Sequence, residues 1–160
     1  MNNISLRLLP QPMRMFLIAF TLVLNIGFFT GLGFIAQTGA TNKIGVVNAY
    51  NGNENDLQAK ELKFKKSARE MLTIVHTHVL SLSFLFFLIG VLTWGTDISV
   101  YWKTILTVEP FFSIVLTFGG LYLVWMEYLF FTYVVMVSGI AMTLSFIISS
   151  TTVIYTLLRK

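Results

Sequence analysis

Residues 110–158 read "PFFSIVLTFGGLYLVWMEYLFFTYVVMVSGIAMTLSFIISSTTVIYTLL", an almost unbroken apolar run of 49 residues. One straight helix of this length would measure about 73 Å, more than twice the roughly 30 Å hydrocarbon core of a bilayer. The chain must therefore turn back within the run. Residues 126–133 combine the charge of Glu127 with the aromatic side chains typical of a membrane interface, so we place the turn there.

Two further apolar runs complete a set of four predicted membrane-spanning helices. The predicted spans are residues 15–36, 69–94, 110–127 and 132–157. Ser67 and Glu70 have the capping-box spacing that starts a helix near Ala68. Pro110 is expected as the first residue of the third helix, where its missing amide costs nothing. The predicted fold is all-α, an integral membrane four-helix bundle over residues 1–160, with an extramembrane loop at 37–67 and a second loop at 95–108.

The composition also indicates a membrane protein. Apolar residues make up 56% of the chain and charged residues 11%, against roughly 25% charged residues in an ordinary soluble domain. The net charge of +4 comes mainly from residues 43–69 and from the chain ends, a distribution that suits lipid headgroups and not nucleic acid. The absence of cysteine excludes disulfides, thiolate metal sites and cysteine nucleophiles.

The basic residues are divided almost evenly between the two predicted membrane faces. Both termini end in short basic segments without nearby acids, whereas the 37–67 loop mixes its lysines with Asp and Glu. We therefore expect both termini in the cytoplasm and the helices in a bacterial inner membrane. Because the number of spans is even, the 37–67 loop and Glu127 are expected on the same face.

The two histidines, His76 and His78, lie near the start of the second span. Residues two apart on an α-helix are separated by about 200°, so this pair cannot chelate one ion together. The i, i+4 spacing of a helical zinc site is also absent. One imidazole is therefore expected to face the bundle and the other to face a partner, a lipid headgroup or a cofactor. Ionisable groups at membrane depth are costly and are often functional.

Three roles remain open for His76 and His78. Either imidazole can simply bond to a neighbouring carbonyl or to water. Either can be an axial ligand of haem b, because four-helix bundles hold haem with neutral imidazole ligands. The second ligand would then be Met126, a histidine of a symmetry mate or a residue of another subunit. The third role is a proton relay or a quinone site, since imidazole titrates near neutral pH.

We also expect a single polar pocket around the two histidines. Arg69, Glu70 and Glu127 are predicted to lie in the same leaflet as His76 and His78, or at its edge, and to surround one pocket.

The loop before the second span contains "YNGNEND", residues 50–56, a turn-forming pattern of Asn and Gly. A solvated turn is the simpler interpretation. The alternative is that Tyr50, Asn53 and Glu54 form a small cap over the histidine pocket.

Two segments carry a resemblance to a known family. They are "YNGNE", residues 50–54, and "SAREMLTIVHTH", residues 67–78. Together they resemble a family of small four-span bacterial membrane proteins with a YxGNE-like loop and a THxH-like helix start. The resemblance implies that the loop and the histidine helix act together, and it brings no assigned activity.

Small and polar residues inside the spans predict contacts between helices. Gly27 and Gly31 have the small-x-x-x-small spacing that allows close helix approach, and Gly119 and Gly120 are candidates for the same role. Asn25 is expected to bond across to a neighbouring helix. The fourth span carries a stripe of small residues, which are Ser138, Ala141, Ser145 and Ser149. A helix contact explains this stripe better than a pore lining.

These features predict a small accessory subunit of a larger membrane assembly, of a respiratory or redox kind, with a haem b or proton/quinone site at His76 and His78. The alternatives are a stand-alone haem b electron carrier and a small-solute or ion pathway. No catalytic triad, phosphate loop or pair of catalytic carboxylates is recognisable, so independent catalytic activity is not expected. The expected partners are the lipid bilayer and other membrane subunits or further copies of the chain.

Overall fold

The computed structural model describes residues 5–54 and 61–159. A short 3₁₀ helix, Leu6–Leu8, precedes the first of the α-helices. The α-helices are α1 (Gln11–Gln37), α2 (Lys43–Asn51), α3 (Ala68–Trp94), α4 (Val100–Trp125) and α5 (Phe131–Leu158). Within the described residues, α1, α3, α4 and α5 are long and apolar enough to cross a membrane. The prediction of an all-α membrane bundle with four spans is confirmed.

The N-terminal segment and the end of α5 lie at the same end of the bundle as the α3–α4 turn. The Leu6 amide donates to the Gly95 carbonyl at 2.8 Å, and the Arg7 guanidinium pairs with the Asp97 carboxylate at 2.8 Å. Arg14 Nε donates to the carbonyl of Leu157 at 2.7 Å, where the last carbonyls of α5 lack helical donors. This end is therefore closed by bonds between segments that are distant in sequence.

The opposite end joins the loop before α3 to the α4–α5 turn. Trp125 Nε1 donates to the Lys66 carbonyl at 2.7 Å, and the Asn51 side chain donates to the Val124 carbonyl at 3.0 Å. The predicted placement of the 37–67 loop and the Glu127 turn at one end is confirmed by these contacts.

Helices α4 and α5 form the most closely packed pair, and α1 and α3 lie against them. Phe28 of α1 stacks on Phe146 of α5 with ring centroids 4.0 Å apart, and Phe86 of α3 meets both rings edge-on. The Ser150 hydroxyl donates to the Asn25 side chain at 3.1 Å. The predicted bond from Asn25 to a neighbouring helix is therefore confirmed.

The capping box at the start of α3 is present. The Glu70 carboxylate accepts from the Ser67 amide at 2.8 Å, and the Ser67 hydroxyl accepts from the Glu70 amide at 3.3 Å. The helix begins at Ala68, as the sequence predicts.

The prediction that Pro110 is the first residue of the third long helix is wrong. Helix α4 begins at Val100, and Pro110 lies inside it, so residues 100–108 are helical and not a loop. The charged groups of Lys103 and Glu109 both have partners within the bundle. Lys103 is buried and donates to the Trp94 carbonyl at 2.9 Å, and Glu109 accepts hydrogen bonds from two serines.

The predicted 37–67 loop also contains a helix, α2. Asn42 caps its first turn by accepting from the Gly45 amide at 2.8 Å. Helix α2 packs against α4 and α5, and its residue Val46 is buried. The short helix is therefore supported by tertiary contacts, which a sequence pattern does not show.

Of the four glycines predicted at helix contacts, the structure supports one. A Cβ atom at Gly120 would lie 2.8 Å from Val135 Cγ2, so α4 and α5 approach closely there. A Cβ at Gly119, Gly27 or Gly31 would meet nothing within 4 Å. The prediction of close contacts at these three glycines is wrong for the described chain, because each lies on a face directed away from the other helices.

Candidate functional site

His78 is held by a local bond and by a stacked ring. Its Nδ1 lies 2.8 Å from the carbonyl oxygen of Ile74, one turn earlier in α3. Because a carbonyl only accepts, Nδ1 carries the proton in this contact, and in the neutral imidazole the lone pair then lies on Nε2. The ring stacks on Phe118 of α4 with centroids 5.0 Å apart and an angle of 25° between planes. These two contacts fix the orientation of the imidazole ring, although the His78 side chain remains exposed.

His76 is exposed on α3 and forms no side-chain hydrogen bond with the described part of the chain. The helical angle places it almost opposite His78. His78 is therefore the imidazole that contacts the bundle, through Phe118, while His76 contacts no neighbouring aromatic ring in the described residues.

Met126, the predicted second haem ligand, is the C-cap residue directly after α4 and is exposed. It follows Phe118 by eight residues, which corresponds to about 12 Å along a helix. The aromatic ring of Phe118, and not the Met126 thioether, is the α4 group that contacts His78.

Glu127 lies in the α4–α5 turn, where it pairs with Lys65 Nζ at 2.7 Å. The hydrogen bond from Lys65 holds the pKa of the Glu127 carboxyl below its usual range. The backbone of Glu127 has φ = 74°, in the left-handed region. The Glu127 and Tyr128 amides donate to the Val124 and Leu123 carbonyls, so the turn has the Schellman pattern in which glycine is usual at this position.

The other members of the predicted pocket are engaged locally. Glu70 bonds to Ser67 in the capping box, and Arg69 is exposed in the first turn of α3. The structure joins Glu127 to Lys65 and does not bring Glu127 into contact with Arg69 or Glu70.

The three predicted cap residues have different surroundings. Asn53 donates to the Glu61 carbonyl at 2.9 Å and accepts from the Lys63 amide at 2.6 Å. Residues 55 and 56 of the predicted turn lie outside the described residues. Tyr50 lies in α2 against the apolar core, and burial raises the pKa of its phenol. Glu54 is exposed.

Sequence reasoning missed a carboxyl group inside α4. Glu109 accepts hydrogen bonds from Ser113 in its own helix and from Ser145 in α5. The available signal was a glutamate beside a proline in an apolar run, with a serine four residues later. The interpretation of Pro110 as a helix start concealed it.

Among residues 5–54 and 61–159, no three His, Asp or Glu side chains come together to hold a metal ion. The profile of a family described as a transmembrane helical domain matches residues 39–160 of the chain, which include α2 to α5. No curated protein and no solved structure matches the chain. The expected relation to a family of membrane proteins is confirmed at the level of the transmembrane helical domain.

Proposed function

Since the chain belongs to this family of transmembrane helical domains, we propose that it is a small accessory subunit of a larger membrane assembly. The face of α3 that carries His78 would meet the partner. The supporting observation is the His78 imidazole itself, which is oriented by Ile74 and Phe118 and is exposed. A polar ring fixed in this way at an apolar helix surface is suited to a contact outside the chain.

The group that suits His78 is haem b. Metal-ligating histidines usually donate one ring N–H to a carbonyl or carboxylate, which fixes the tautomer and directs the other nitrogen to the metal. The bond from His78 Nδ1 to Ile74 supplies this arrangement, with Nε2 as the ligand atom. Haem in this position would supply one-electron transfer. The second axial ligand would come from the partner or from another copy of the chain.

We infer that the contact at His78 lies within one leaflet of the bilayer. His78 follows Ala68 by ten residues, or about 15 Å, and its neighbour Phe118 precedes Trp125 by about 10 Å. Both positions belong to the half of the bundle near the Lys65–Glu127 pair. If the termini are cytoplasmic, as we propose, the His78 site lies in the outer leaflet of a bacterial inner membrane.

Cross-linking tests whether this face meets a partner. The chain contains no cysteine, so one introduced thiol is unique. Ser81→Cys lies one turn after His78 on the exposed side of α3, and Ile26→Cys on exposed α1 is the matched control. In native membranes, a maleimide that carries a photoreactive benzophenone should, on irradiation, link Ser81→Cys to a neighbouring subunit of defined mass. Equal cross-linking of both variants, or of neither, would contradict a specific interface at His78.

A further inference from the structure

Glu109 is an acidic side chain placed well inside a membrane-spanning helix. It follows the start of α4 at Val100 by about 13 Å and precedes the end at Trp125 by about 24 Å, at about 1.5 Å per residue. Its immediate neighbours include the exposed apolar residues Val108 and Phe112. An ionisable group at such a depth is costly in lipid and marks a candidate functional site.

Two buried hydroxyl groups hold both oxygens of this carboxyl group. Ser113 Oγ donates to Glu109 Oε1, and Ser145 Oγ of α5 donates to Oε2. Both serines are buried, whereas Glu109 is partly exposed. The carboxyl group is therefore fixed between α4 and α5, with one side open to the surface of the bundle.

No cation neutralises Glu109 within the described part of the chain. It takes part in no ion pair there. Lys103, six residues earlier in α4, uses its ammonium group to bond the Trp94 carbonyl. The two serine hydroxyls are neutral donors, so the structure offers Glu109 hydrogen bonds without a compensating charge.

The segments packed around Glu109 also lack titratable groups. Helix α5 meets it through Ser145, and α3 lies close by, since a Cβ at Gly90 would be 3.4 Å from the Thr107 side chain. The stretches 79–94 of α3 and 134–154 of α5 contain no Asp, Glu, His, Lys, Arg or Tyr, and neither does the stretch 15–42, which includes most of α1. In α4 the nearest such residues are Lys103 and Tyr122.

Pro110 leaves a backbone carbonyl without its usual donor in the turn before Glu109. Proline has no amide hydrogen, so the Leu106 carbonyl lacks the donor that an α-helix normally provides four residues later. The Leu106 carbonyl, in the turn that precedes Glu109, is therefore an acceptor that a protonated carboxyl or a water molecule can use.

We propose that Glu109 is a proton-binding site within the membrane, which takes up and releases one proton while Ser113 and Ser145 hold it in place. In the uptake step, a lone pair of Oε1 or Oε2 forms an O–H bond with a proton from hydronium. One O–H bond of hydronium breaks, and water is released. Serine hydroxyls can donate to the carboxylate and accept from the acid, so both states retain hydrogen bonds without a change of fold. This site is separate from His78 and does not rest on the proposed haem ligand.

Carbodiimide labelling tests the proposal directly. Dicyclohexylcarbodiimide partitions into apolar surroundings and reacts with the protonated form of a carboxyl group. The full chain in lipid vesicles is treated over a range of pH, and the labelled residue is identified by mass spectrometry. The label should appear on Glu109, and its yield should fall about tenfold for each pH unit above the midpoint, as for any single-proton site.

Glu109→Gln should remove the label, because glutamine has the shape of glutamate and can keep both serine contacts but has no carboxyl group. The helix content measured by circular dichroism checks that this variant folds. Glu127→Gln, which changes an exposed carboxyl outside the bundle, should leave the Glu109 label unchanged. A label independent of pH would show a permanently protonated structural group and overturn the proposal. An absence of label at all pH values would also overturn it, as would protection by sodium ions at constant pH, which would indicate a cation site.

Discussion

Gly120 and Gly119 are adjacent in α4, yet the structure predicts different effects on stability when each is replaced by alanine. A Cβ at Gly120 would lie 2.8 Å from Val135 Cγ2, whereas a Cβ at Gly119 would meet nothing within 4 Å. Carbon atoms prefer separations of about 3.5–4.0 Å, so α4 and α5 would have to shift in Gly120→Ala.

The size of the effect follows from two terms. Alanine in place of glycine in a helix interior stabilises by about 1 kcal/mol, and this gain is common to both variants. Overpacking of a close contact costs about 1–3 kcal/mol and applies only to Gly120→Ala. Gly119→Ala should therefore be the more stable variant by about 1–3 kcal/mol.

Reversible unfolding in mixed detergent micelles, followed by circular dichroism, measures this difference. Val135→Ala removes Cγ2, so the difference between the two glycine variants should vanish in that background. The reasoning fails if the two variants differ by less than about 0.5 kcal/mol, the usual error of additivity, or if Val135→Ala leaves the difference unchanged.

Three further predictions concern the two ends of the bundle. Lys103→Met should destabilise the protein by about 1–3 kcal/mol, because the Trp94 carbonyl loses its donor, and unchanged unfolding in micelles would contradict this. Glu127→Gly should unfold at a higher temperature than Glu127→Gln, because both variants lose the charge but only glycine suits the left-handed backbone. The reverse order would show that the backbone at residue 127 is not strained. The hydrogen bond from Arg7 lowers the pKa of Asp97 in the folded protein. The ionised Asp97 carboxylate should therefore contribute its full stabilisation above the ordinary pKa of about 3.9, and this stabilisation should be lost as the pH falls through the lower pKa of the folded protein. Unfolding temperatures between pH 5 and 2 should therefore fall less steeply in Asp97→Asn than in the wild type, and parallel curves would contradict this.

The spans could be predicted because their signals are local. Length and apolarity alone identify a helix that crosses a bilayer, and the Ser67 and Glu70 pair marks the start of α3 within four residues of sequence. The start of α4 could not be predicted in this way. Lys103 and Glu109 are tolerated in a helix because of partners on α3 and α5, and Ser145 is 36 residues from Glu109.

The candidate sites also depend on contacts between residues that are distant in sequence. The pair His76 and His78 was visible in the sequence, but their different surroundings depend on Phe118 of another helix. Helix α2 is too short to be stable alone and forms where α4 and α5 support it. Gly27 and Gly31 show the converse case, because a correct spacing for close approach carries no information on whether a helix is present opposite them.

The most direct test of the proposed subunit is the reduced-minus-oxidised optical spectrum of the assembly purified gently from native membranes. The wild type is compared with His78→Ala and His76→Ala at equal protein content. We expect a b-type haem spectrum that is lost in His78→Ala and retained in His76→Ala, because Nδ1 of His78 is bonded to Ile74 and its Nε2 is available. A colourless wild-type assembly, or a b-type spectrum that both variants retain, would contradict it.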